Sequence, residues 1–101
     1  MIIMVTQWYP IKQGNLVAEK FLQALKNPLP SYIKKWQTFS VVEDDKEKVY
    51  NLIMVEKGKA DDAQIEIGKI LNSFSDVDGY SMKLEIVLGA RDTFKILGRS
   101  L

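Results

Sequence analysis

The chain has 101 residues, 47% of them hydrophobic and 27% charged, with a net charge of +1. That length and balance fit one globular domain over residues 1–101, and the bulk charge gives no reason to expect nucleic acid or an anionic membrane as partner. Cysteine and histidine are both absent, which excludes disulfides, thiolate catalysis, iron–sulfur clusters and cysteine- or histidine-based zinc, and removes the commonest haem ligand and neutral-pH general base.

Ile2 to Tyr9 is β-branched, apolar and aromatic, and reads as a first strand stopped at Pro10, which has no N–H for a ladder. The apolar opening Met1 to Val5 is followed by polar Thr6-Gln7, so it is too short for a leader or a membrane span and a cytoplasmic location is expected. Lys12-Gln13-Gly14 is a polar turn, and Asn15 is placed to cap a helix. Leu16, Val17, Phe21, Leu22 and Leu25 then recur at helical spacing. The prolines of Asn27-Pro28-Leu29-Pro30 end that helix.

Trp36 to Val42 and Val49 to Val55 are rich in β-formers, and the charged run Glu43 to Lys48 between them suits a hairpin loop. Asp61-x-x-Gln64 matches a capping box opening a second helix, whose inward stripe is Ala63, Ile67, Ile70, Leu71 and Phe74. After Asp76-Val77-Asp78-Gly79, the residues Tyr80, Met82, Leu84, Ile86 and Leu88 alternate with Ser81, Lys83 and Glu85, the period of a half-buried strand. The segment Asp92 to Leu97 fits either a last strand or a helical turn capped by Asp92. The order βαββαβ predicts an α+β, ferredoxin-like domain: a four-stranded antiparallel sheet with two helices on one face.

Two strands are apolar on both faces. The first sets Ile2, Met4 and Trp8 against Ile3, Val5 and Tyr9. The third sets Val49, Ile53 and Val55 against Tyr50, Leu52 and Met54. Two helices cover one face only, and a bare apolar sheet exceeds what monomers expose. A homodimer packed through the second face is the expected remedy, with the C-terminal tail as the other candidate cover.

With its opening Met1-Ile2-Ile3-Met4-Val5-Thr6-Gln7-Trp8-Tyr9-Pro10, the turn Lys12-Gln13-Gly14 and the helix start near Asn15, the chain resembles the dimeric α+β barrel superfamily, which includes stress-responsive A/B-barrel domains and small antibiotic-biosynthesis-type monooxygenases. The resemblance implies two sheets packed face to face and a small ligand or substrate held between sheet and helices. Haem-degrading members use a histidine ligand that this chain lacks, so no cofactor and no metal are expected. Cofactor-free oxygenation of a phenolic substrate needs an aromatic, amide and cationic pocket. Gln7, Trp8, Tyr9, Trp36, Asn51 and Arg91 are the candidates for such a site, against the plainer reading that they are core and interface residues.

Lys83 and Glu85 share a strand face, where a partly buried and catalytic pair is weighed against a cross-strand ion pair or a solvated edge, the commoner case. Tyr32, Lys34, Lys35, Trp36 and Phe39 interleave basic and aromatic residues as RNA binders do. However, Val49 to Val55 lacks the basic-glycine-aromatic pattern and the acidic hairpin beside it repels phosphate. The turn around Gly14 sits where ACT-like amino-acid sensors place a ligand loop, but a lone glycine serves equally as a turn residue. The leading functional expectation is binding of a small apolar or aromatic molecule. A cofactor-free monooxygenase and a purely structural assembly domain are the alternatives.

Overall fold

The computed structural model describes all 101 residues. Its elements are β1 (Ile2–Pro10), a 3-10 turn (Ile11–Gln13), α1 (Gly14–Leu25), β2 (Ile33–Glu43), β3 (Lys46–Val55), α2 (Ala60–Asn72), β4 (Ser81–Val87) and α3 (Ala90–Ile96). The strands form one antiparallel sheet in the order β2-β3-β1-β4. The apolar strands β1 and β3 therefore lie at its centre, as strands covered by neighbours on both edges should.

Cross-strand partners share a face, so the register sorts the side chains. Ile3, Val5, Ile53 and Val55 lie on the helix side and are buried with Ile33 and with Ala63, Ile67 and Leu71 of α2. The spacing of those three α2 residues is one helical stripe, and it seats α2 on the sheet. A second, smaller cluster joins Tyr9, Phe74 and Val77, with Val17 of α1 packed against it. Phe74 stacks on Tyr80 at 5.5 Å between ring centroids.

Several local expectations are corrected. No side-chain cap closes α1 or α2: their N-cap residues are Gln13 and Lys59, not Asn15 and Asp61. The 3-10 turn and the Lys59 carbonyl, which accepts from the Ala63 N–H, start these helices instead. The tail is helical, capped at Gly89 rather than Asp92. The charged run is not a loop beyond its tip. The strands run on to Glu43 and Lys46, leaving a two-residue turn at Asp44-Asp45, where Asp44 takes a φ of 55°, a conformation that Asp tolerates better than most residues. Lys83 and Glu85 do pair, at 3.5 Å, but in solvent.

The largest departure is α1. It buries none of its residues, and Phe21, expected against the sheet, is 40% exposed. Its polar tie to the rest is Lys20, whose Nζ lies 2.7 Å from Asp76 Oδ1 and holds the Asp76 carboxyl below the usual carboxylate range. Replacing Phe74 by alanine is expected to cost about 3–5 kcal/mol, as for other buried phenylalanines. Phe21→Ala is expected to cost under about 1 kcal/mol. Urea denaturation of the two variants measures the contrast, and equal losses would place α1 in the core after all.

Candidate functional site

Strand parity carries two polar side chains into an otherwise apolar layer. On β1 the helix-facing series runs Ile3, Val5, Gln7, Tyr9, and on β3 it runs Val49, Asn51, Ile53, Val55. Val5 pairs with Asn51 and Gln7 with Val49, so the two amides are diagonal neighbours, within reach of each other. β2 adds Trp36 opposite Ile53 and Thr38 opposite Asn51.

The result is a connected hydrogen-bond network. Asn51 is 2% exposed. Its Oδ1 accepts from Trp36 Nε1 and from Thr38 Oγ1, each at 3.0 Å. Its Nδ2 donates to the Val5 carbonyl at 3.2 Å and to Gln7 Oε1 at 2.9 Å. Gln7 Nε2 donates in turn to the Tyr80 hydroxyl at 2.9 Å. Burial pushes the Tyr80 hydroxyl up from its ordinary pKa, against the opposing effect of the Gln7 bond, so the phenol stays protonated at neutral pH. No buried side-chain nitrogen or oxygen in the chain lacks a partner.

This network floors a cavity of about 440 Å³ between the sheet, α1 and α2, within the range typical of small-molecule sites. Phe21 and Leu25 of α1, Leu29 of the proline turn, Ile70 and Phe74 wall it, with Trp36 on the sheet side. Phe21 is thus exposed to the cavity it lines. Lys34 and Lys35 are the only charged residues of the lining. Lys34 occupies an irregularity in the β2–β3 register, whereas Lys35 pairs with Met54 and belongs to the other face.

Of the residues singled out from sequence, Gln7, Trp36 and Asn51 come together here. Trp8 does not: it lies on the opposite face, with Lys48 Nζ 5.7 Å from its ring centroid and 5.1 Å from that of Tyr50. Tyr9 is buried beside Phe74 and Val77, and burial together with the neighbouring Glu47 carboxylate drives its hydroxyl well above the ordinary tyrosine value. Arg91 is exposed in α3, away from the lining. Sequence reasoning missed Thr38 and Tyr80 as members of the network and Phe21 as a wall. Thr38 was signalled by its alternation with Trp36, and Tyr80 by its place at the head of the last alternating strand.

Gly79 fixes the entry to β4. Its φ is +77°, and a Cβ there would lie 2.8 Å from Pro10 Cγ. Both facts require glycine, and they set the position of Tyr80 next to it. No group of three or more His, Cys, Asp or Glu side chains is arranged to hold a metal ion, and no helix is long and apolar enough to cross a membrane. Comparison with protein-family models, curated proteins and solved structures finds no match for this chain.

Asn51→Asp tests the network through pH. The carboxyl keeps the acceptors for Trp36 and Thr38, but only its protonated form donates, and only once, where Asn51 donates to both Val5 and Gln7. Burial and the missing donors raise the folded pKa above the unfolded value of about 3.9. The variant's stability is therefore greatest below that value and is lost as pH rises through the folded pKa. Urea midpoints, each taken relative to the parent, are expected to be closer at pH 4 than at pH 7. An identical gap at both would contradict the network.

Proposed function

We propose that this domain binds a small apolar or aromatic molecule in the cavity over Gln7 and Asn51. The observation that carries the reading is a cavity with apolar walls on a hydrogen-bonded amide floor, beside a helix that buries none of its own apolar residues. Preorganised polar groups in an apolar pocket fix a ligand's orientation, and a loosely seated α1 gains packing when the space is filled. The cofactor-free monooxygenase reading is the second choice. Its proton transfers need a base, and the lining holds no carboxylate, while burial keeps Tyr80 protonated. Recognition is the chemistry these groups support best.

We further propose a ferredoxin-like, dimeric α+β barrel arrangement in which two protomers meet through the open sheet faces, in the cytoplasm. The strand order β2-β3-β1-β4 supports the ferredoxin-like reading. The face bearing Met4, Trp8, Tyr50 and Leu52 carries an apolar patch, with Phe39 and Met54 exposed on it, flanked by Lys48 and by the Lys83–Glu85 pair. The tail leaves Ile96, Leu97 and Leu101 exposed and buries no residue of α3, which disfavours it as a cover. The surface area is 6987 Å², about 1,200 Å² more than the roughly 5,800 Å² usual for a monomer of this mass. A standard interface hides about 800 Å² per partner.

Native mass spectrometry of freshly purified protein is expected to show a carried-over small molecule that denaturation releases. A clean apo mass, with no uptake from a panel of aromatic and aliphatic compounds, would reject the binding reading. Light scattering is expected to report twice 11.6 kDa, and Leu52→Lys to give monomer with its helical signal intact. Monomer mass for the parent chain would reject the barrel.

A further inference from the structure

We infer that the cavity selects an amphipathic monocarboxylate, one whose apolar body lies between Phe21, Trp36 and Phe74 and whose acid group meets Lys34 at the mouth. The inference rests on the binding reading above and adds the ligand's charge and build.

The polar capacity left in the lining decides the chemistry. Asn51 has none: both amide protons and both lone pairs of its oxygen are used. Trp36 has spent its indole N–H on Asn51. Gln7 retains one amide proton, since Nε2 donates once, to Tyr80; the Thr38 hydroxyl oxygen can still accept, and Asn27, in the wall beyond α1, makes no side-chain hydrogen bond. The floor therefore offers little to a polyhydroxylated or zwitterionic ligand, whose buried polar groups would go unpaired at a cost.

The mouth differs from the floor. Lys34 and Lys35 line the cavity, and no carboxylate does. Neither lysine enters a salt bridge with the chain's own acids, whereas Lys20 and Lys69 nearby are paired with Asp76 and Glu66. Lys35 is directed by its register to the other sheet face, which leaves Lys34 as the cation available at the opening. An organic anion gains a charge-assisted contact there, and a cation gains only repulsion. The volume of about 440 Å³ holds on the order of 15 non-hydrogen atoms at roughly 30 Å³ each. This matches a medium-chain fatty acid or an aryl acid of that size.

Tryptophan emission tests this in the full chain. Trp36 lines the cavity and Trp8 lies on the opposite face, so Trp8→Phe leaves one reporter, in the site. The probes are dodecanoate, dodecanol and dodecyltrimethylammonium, which share a tail and differ in head charge. Dodecanoate is expected to shift Trp36 emission and to bind about two- to fivefold tighter than dodecanol, the value of one solvent-screened charge contact, with the cation weakest. Lys34→Glu, a change at an exposed residue, is expected to erase the preference for the acid while dodecanol binding persists. Equal affinity for all three probes, or an acid preference unchanged by Lys34→Glu, would overturn the inference and leave the apolar cavity reading standing. No response to any probe would overturn both.

Discussion

The side chain of Asn51 on β3 reaches four partners on the two flanking strands: Trp36 and Thr38 of β2, and Gln7 and the Val5 carbonyl of β1. A buried amide has two donors and two acceptor positions, and leaving any of them empty in a low-dielectric layer is costly. Filling all four removes that penalty and fixes the orientation of its neighbours. The Trp36 ring is held by its N–H, and Gln7 is turned so that its amide nitrogen meets Tyr80. The polar floor of the cavity follows from this one saturated residue, whereas it is burial that keeps the Tyr80 phenol beside it protonated.

A floor of this kind resists collapse of the apolar walls onto it. α2 is anchored by Ala63, Ile67 and Leu71 against the central strands, but α1 has no equivalent. Its apolar residues Leu22 and Leu25 remain mostly exposed, and its polar tie at Lys20–Asp76 lies in solvent on the aspartate side. Exposed ion pairs contribute little to stability. The cavity thus has one firm side and one yielding side, against which the proposed ligand would pack.

The same shortage of cover appears on the far side of the sheet. The backbone measures 47 × 32 × 17 Å, and its smallest extent accommodates one sheet and one helix layer at the usual spacing of about 10 Å. A third layer is missing over strands whose both faces are apolar. Cation–π contact with Lys48 screens part of Trp8 and Tyr50. The remaining apolar area is what makes a second sheet the natural partner in the proposed dimer.

Much of the sequence was legible because period and parity are local. The two-residue alternation of Met82, Leu84 and Ile86, the helical stripe of Ala63, Ile67 and Leu71, and the apolar doubling of β1 and β3 each identify their element without knowledge of a neighbour. Gln7 and Asn51 stood out as the amide candidates for a pocket. Their partnership was not legible, because it depends on the β1–β3 register that pairs Val5 with Asn51, and nothing local specifies which residues face each other across strands more than forty positions apart. Trp8 and Tyr9 were grouped with them as aromatic candidates for the same pocket, yet Trp8 lies on the opposite face and Tyr9 is buried beside Phe74. The helical stripe of α1 was correctly read as apolar, but a stripe says only what a helix could bury. Whether the sheet meets it closely or leaves a cavity is decided by the tertiary spacing of α1, α2 and the hydrogen-bonded amides beneath them.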